Sequence, residues 1–195
     1  MHGLVMLDEM GEVIRPSIIW CDQRTGAEVE DMLKIMPREE WIRITANPPL
    51  TGWTAAKILW VRKNEPENYN RCRHILLPKD YIRYILTGVF ATEVSDASGM
   101  QLLDVPGRCW SDEVLKALNI DKDLLGKVYE SCEATGTLLA DVAKRTGLSE
   151  KCMVAGGAGD NAAAAVGTGV VKRRDCLYNH WYLRCCICPY QQACH

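Results

Sequence analysis

The chain predicts an α/β domain whose sheet is small for the helices it carries, and three observations predict it. Short apolar runs of strand length alternate with longer segments of helical spacing, the pattern of α/β folds. The last regular stretch, Met153-Val-Ala155, then Gly156-Gly-Ala-Gly159, then the Ala-rich run Ala162 to Val166, reads as strand, glycine loop and helix. The strand supply is thin: one hairpin, one short strand and one late strand, so strands are expected to be missing at one or both ends.

Taken in order, Leu4-Val-Met-Leu7 and Val13-Ile-Arg-Pro-Ser-Ile-Ile19 flank a Gly-containing turn and read as a β-hairpin. Trp20-Cys-Asp-Gln-Arg-Thr25 is a polar loop. Thr25 to Met36 places Val29, Met32, Leu33 and Met36 at helical spacing, and Pro37 ends it. Arg38 to Thr45 is a short second helix, and Asn47 to Gly52 a loop. Thr54 to Lys63 is a helix with Ile58, Leu59 and Val61 toward its buried side. Ile75-Leu-Leu77 is a short strand. Pro78 then opens a helix through Leu86, since its missing N–H is no loss in the first turn, and Gly88 closes it. Ala91 to Gly99 reads as a polar loop. Ser111 caps a helix over Glu113 to Leu118, and Leu139 to Thr146 is a helix stopped by Gly147.

Composition bounds the class. The chain has 195 residues, 48% hydrophobic and 25% charged, with a formal net charge of −2. That is ordinary for a globular domain and offers no basic surface for nucleic acid. No apolar run approaches the roughly 20 residues of a membrane helix, and the N-terminus lacks the basic start and cleavage site of a signal peptide. Cytoplasm is the expected location.

Asp160 sits where the glycine loop becomes the last helix. Two readings are open for it. It caps the helix, a favoured role for Asp, or it serves as general base for a hydroxyl approaching over a backbone stripped of side chains.

The tail stands apart. Cys176, Cys185, Cys186, Cys188 and Cys194, five of the ten cysteines, fall within Asp175 to His195, a stretch without periodicity. A zinc site is one reading, but the spacing lacks paired C-x2-4-C knuckles. A shifted reading frame is the favoured one. Trp181 is encoded by TGG and Tyr182 begins with T, so a shift by one base gives glycine there, and allowed codons elsewhere yield Ile-Gly-Thr-Ser-Gly-Val-Val. The chain thus divides into residues 1–174 and an aberrant Cys-rich tail, 175–195.

Several segments together resemble the FGGY family of carbohydrate kinases, closest to its xylulokinase branch, over about residues 1 to 174. Met1-His-Gly3 resembles the family's sugar-contacting Met-His-Gly. Trp20 to Thr25 resembles its W-x-D-x-R loop. Gly52 to Asn64 fits its signature with a small residue, Lys and Trp. Ser95-Asp-Ala-Ser-Gly99 is similar to its substrate-side loop, and Gly156 to Gly167 resembles the loop bearing the catalytic aspartate. The resemblance implies an incomplete actin-like, ribonuclease-H-like domain, the sugar-binding side of a two-domain kinase. The family's D-x-G-T-x-S phosphate loop is not in this sequence, and its Gly-Thr-Ser-Gly turn falls where the shifted frame would restore it.

The implied activity is ATP- and Mg2+-dependent phosphorylation of a pentulose, D-xylulose at its 5-hydroxyl. The implied roles are Asp160 as base, and Met1, His2 and Asn161 at the sugar. Asp22 and Arg24 either orient the sugar or pair with each other across their loop. No residue here is assigned to nucleotide or metal, and the chain alone is expected to be inactive. Kinases of glycerol, gluconate or ribulose, and a non-catalytic sugar-binding fragment, are the rival readings. A homodimer in the intact family is compatible with the resemblance. Trp53 and Trp60 are expected to pack the core or a lid, Lys57 to be solvated or structural, and His74 to sit at a strand edge.

Overall fold

The computed structural model describes residues 1–170 and the backbone of two short strands, β9 (Leu177–Asn179) and β10 (Cys185–Ile187), which pair antiparallel. Apart from these strands, the expectations for the tail from residue 175 lie outside the described residues.

The sheet is built around β1 (Val5–Leu7). It pairs antiparallel with β2 (His74–Leu76), Val5 opposite Leu76. On its other edge, bridges Leu4–Ile18 and Leu7–Val13 form the predicted hairpin. Asp8 closes the turn by accepting the N–H groups of Met10 at 3.0 Å and Glu12 at 3.1 Å. A parallel bridge from Ile75 to Leu125 carries the sheet on toward β6 (Lys127–Tyr129), which pairs parallel with β3 (Ala91–Glu93). A separate antiparallel pair joins β7 (Ala134–Thr137) to β8 (Met153–Ala155). Two-residue strands β4 (Leu103–Asp104) and β5 (Cys109–Trp110) form a small hairpin.

The sheet is therefore wider than the sequence reading allowed. The main correction is Ala91 to Gly99, expected as a polar loop. It forms β3, the helical turn α6 (Val94–Ala97) and a 3-10 turn over Ser98–Met100. Glu93, within that stretch, is fully buried. Its carboxylate caps α6 by accepting the N–H groups of Ser95 and Asp96, each at 2.8 Å.

The predicted helices form close to their expected bounds: α1 (Gly26–Ile35), α2 (Arg38–Thr45), α3 (Thr54–Asn64), α5 (Pro78–Thr87), α7 (Asp112–Leu118), α8 (Ala140–Thr146) and α9 (Asp160–Gly167). A short helix not expected, α4 (Pro66–Arg71), follows α3. Ser111 caps α7 by accepting the N–H of Val114 at 3.2 Å. Gly88 ends α5 in the left-handed region, φ +73°, where a side chain would be strained.

Alternation along β1 separates two cores. Leu4 and Met6 face a large cluster with Met32, Trp41, Ile58 and Leu77, while Val5 and Leu7 face Leu76 and the rings of Tyr81, Tyr84 and Phe90. The first cluster knits α1, α2, α3 and α7 to one side of the sheet. The buried Trp41 Nε1 donates to the carbonyls of Met32 at 3.2 Å and Met36 at 3.1 Å, so the ring that fills the core also ties off α1. The second places α5 on the opposite side, which brings Lys79 and Arg83 beneath the glycine loop.

Candidate active site

Strand β8 delivers the glycine loop, and α9 starts at Asp160. The N-cap is Gly159, so Asp160 is the first helical residue rather than the cap position. One carboxylate oxygen accepts the N–H of Asn161 at 2.7 Å, which fixes the direction of the group.

The loop lies on the chain's first residues. A Cβ at Gly159 would meet Met1 Cε at 3.0 Å and Asp96 Cα at 3.7 Å, and the Gly159 N–H donates to Ser95 Oγ at 2.9 Å. A Cβ at Gly156 would lie 2.6 Å from the Glu130 carbonyl oxygen, so no side chain fits there. The loop is moored from below. Lys79 Nζ donates to the Gly156 carbonyl at 3.1 Å and Arg83 Nη1 to the same oxygen at 2.6 Å.

His2 occupies the left-handed region, φ +51°. Its carbonyl accepts from Thr54 Oγ1 at 3.1 Å and Lys57 Nζ at 2.7 Å, and these two bonds hold the unusual turn. The ring stands edge-on to Trp53, centroids 4.8 Å apart. Its Nδ1 side is pressed on Gly99, where a Cβ would come within 1.9 Å of Nδ1. Burial pushes the His2 pKa down to about 4, helped by the N-terminal amino group and Lys57, while the Asp160 charge pulls it up. The imidazole is neutral at neutral pH, and Asp160 is within electrostatic reach of it.

Lys57, expected to be solvated or structural, is structural. It is fully buried and also donates to the Gly52 carbonyl at 2.6 Å. Burial pushes its pKa down to about 8, against the pull of Asp22.

A cluster of buried charges underlies the site. Lys79 Nζ lies 3.3 Å from Asp80, 3.3 Å from Glu93 and 3.9 Å from Asp96. Arg83 pairs with Asp80 at 2.9 Å and donates to the Ala91 carbonyl. Burial works to raise the Glu93 pKa, but the Lys79 charge and the N–H groups of Ser95 and Asp96 outweigh it and hold Glu93 below its ordinary value. Asp96 has no such donors, and burial lifts it to about 7.

The structure brings together Met1, His2, Asp160 and Asn161. Asp22 and Arg24 lie on their loop and pair with each other, Arg24 Nη2 to Asp22 Oδ2 at 2.7 Å. The Arg24 bond draws the Asp22 pKa down, and the guanidinium lies 4.8 Å over the Trp60 ring. His74 stacks on Phe90, ring centroids 3.5 Å apart, a packing role. Lys79, Arg83, Glu93 and Asp96 were not singled out from sequence. The one available signal was Ser95-Asp-Ala-Ser-Gly99, which gave no hint that Asp96 would be buried beside His2.

Among the described residues, no group of three His, Cys, Asp or Glu side chains could hold a metal ion. Two cavities, about 570 Å³ beside α8 and about 270 Å³ between α1, α3 and α7, are lined by none of the candidate site residues.

Comparison with known proteins places the chain in a family. Residues 1–167 match the FGGY family of carbohydrate kinases, N-terminal domain. The xylulose kinase of Escherichia coli (strain K12) is 45% identical over 177 residues, 91% of this chain and 36% of that protein. The xylulose kinase of Lactococcus lactis is 42% identical, over 88% of this chain and 34% of that protein. The crystal structure of a xyloylose kinase from Brucella ovis superposes with a TM-score of 0.83 at 40% identity, covering 88% of this chain and 35% of that one. The chain thus spans about a third of the length of these relatives. It belongs to the FGGY family of carbohydrate kinases, its residues 1–167 matching that family's N-terminal domain.

Proposed function

We infer that the whole protein transfers a phosphoryl group from ATP to D-xylulose, giving D-xylulose 5-phosphate, and that this chain carries the acceptor side of the reaction. The observation that carries the reading is the seating of the Asp160 loop on Met1 and beside His2.

Each residue then has a task. Asp160 accepts the proton of the attacking hydroxyl as the new bond to phosphorus forms, when a carboxylate is base enough. The Asn161 N–H anchors one of its oxygens and aims the other. His2, neutral and clamped through its carbonyl, offers a hydrogen bond without a charge. Met1 gives an apolar wall, and the Asn161 amide reaches a neighbouring hydroxyl. Asp22 and Arg24, as a bonded pair, shape the rim of the sugar site. Mg-ATP supplies the phosphoryl group and neutralises its charge, and no described residue is assigned to hold it.

The reading carries a cytoplasmic location, a small-molecule sugar as partner, and room for a homodimer of the whole protein. Among the described residues no helix is long and apolar enough to cross a membrane. The test uses the chain itself, with D-xylulose, glycerol and D-gluconate added in turn while unfolding is followed. D-xylulose raises the melting temperature, Asp160→Ala weakens that rise, and ATP is not turned over by the chain alone. Stabilisation by glycerol but not by D-xylulose would overturn the substrate, and no response to any sugar would overturn the site.

A further inference from the structure

Two buried polar groups face each other without a hydrogen-bond partner. Asp96 is fully buried, and neither of its carboxylate oxygens is bonded. The Nδ1 of His2 is buried and unbonded as well. Asp96 Oδ1 lies 3.8 Å from that nitrogen. A buried polar atom left unpaired is costly, and one contact here would satisfy both groups. The gap is longer than a hydrogen bond, and bonds of this kind tighten when a substrate arrives. Gly99 gives the imidazole the room it needs against α6, since any side chain there would expel the ring.

We propose that Asp96 is a positioning residue that sets the tautomer of His2, and through it decides whether the opposite nitrogen, Nε2, donates to the sugar or accepts from it. The inference rests on the sugar-site reading given above. When Asp96 carries a proton, it donates to a bare Nδ1, and the ring's own proton sits on Nε2, which then donates to a sugar oxygen. When Asp96 is ionised, it accepts from Nδ1–H, and the bare Nε2 accepts a sugar hydroxyl. No charge appears on the ring in either state.

The surroundings place this exchange near neutrality. Burial raises Asp96 to about 7, with Asp80 and Glu93 adding to the rise and Lys79 and the N-terminal amino group opposing it. On the His2 side, burial, the N-terminal amino group and Lys57 work against a second proton, and Asp160 works for it.

The test is a pH titration of the 195-residue chain with nitrogen-15-labelled histidine, His2→Gln assigning the signal among the four histidines. From about pH 5.5 to 9, a range centred on ordinary His and raised-Asp titration, the His2 ring stays neutral. Its proton moves from Nε2 to Nδ1 with a midpoint near 7. In Asp96→Asn, with an unchanged backbone amide spectrum, the tautomer ratio is independent of pH. A wild-type ring that keeps one tautomer, or that charges near the ordinary value of about 6.5, overturns the proposal. So does an unchanged midpoint in Asp96→Asn. The wild-type titration decides the matter even if the variant does not fold. Added D-xylulose separates the two readings: a proton exchange with no sugar response keeps the pairing and sinks the sugar site, and a sugar response without the exchange does the reverse.

Discussion

The two sides of this domain are buried by opposite means. On one side, Leu4, Met6, Met32, Trp41, Ile58 and Leu77 pack as an apolar cluster, stabilised by area removed from water and close contact. On the other, beneath the glycine loop, Lys79, Asp80, Arg83, Glu93 and Asp96 form a charged layer. The first side tolerates a change that keeps its volume. The second depends on each charge keeping its partners, because loss of one strands another in low dielectric. Both sides contribute to stability, and the charged side also sets the position of the glycine loop that carries Asp160.

The largest effect expected from this contrast is at Arg83. Arg83→Leu removes the bonds to the Gly156 and Ala91 carbonyls and leaves Asp80 with less compensation, for a loss of about 3–5 kcal/mol by denaturant unfolding. A cost below about 1 kcal/mol, the scale of an exposed pair, would erase the distinction between the two sides.

Next comes Asp96, where the sign is reversed. Its folded pKa is raised, from an ordinary 3.8 to about 7. Its contribution to stability is therefore complete below the unfolded value and is lost as pH rises through the folded one. Asn undergoes no such loss. At pH 8, Asp96→Asn is expected to be more stable than the wild type by about 2–4 kcal/mol, and the gap to close near pH 4. Melting curves at both values check this, and a variant less stable than wild type at pH 8 would contradict it.

Gly99→Ala follows. The added methyl would sit 1.9 Å from His2 Nδ1, so the ring must leave its place while the core is untouched. D-xylulose affinity is expected to fall by about tenfold or more, some 1.4 kcal/mol, in a calorimetric titration. Unchanged affinity would show that the ring is not held for the sugar. The smallest effect is Ile58→Val in the apolar cluster, about 0.5–1.5 kcal/mol of stability with sugar binding intact.

The same division decides what could be read from the chain. The helices of the apolar side follow from spacing and punctuation: Met32 and Met36 before Pro37, Ser111 before Val114, Gly88 after α5. The candidate site residues Met1, His2 and Asp160 were legible because they lie in short contiguous motifs. The charged layer was not. Glu93 forms part of a buried strand only because Lys79 and two backbone N–H groups meet it there, and Lys57 is buried only because two carbonyls converge on it. Those partners are distant in sequence or belong to the main chain. Strands β3, β6 and β7 escaped for a related reason: Ala-Thr-Glu, Lys-Val-Tyr and Ala-Thr-Gly-Thr are not apolar runs, whereas the equally short β1 and β8 are.

The double anchorage of the Gly156 oxygen has an evolutionary corollary. A peptide oxygen is present whatever amino acid occupies the position, but a Cβ at Gly156 would meet the Glu130 carbonyl oxygen at 2.6 Å, so the near end of the tether admits only glycine. Selection must preserve both ends, the bare Gly156 and two cations one helical turn apart on α5. The ancestry of the loop's placement should accordingly be legible at Lys79 and Arg83 as well as at Gly156.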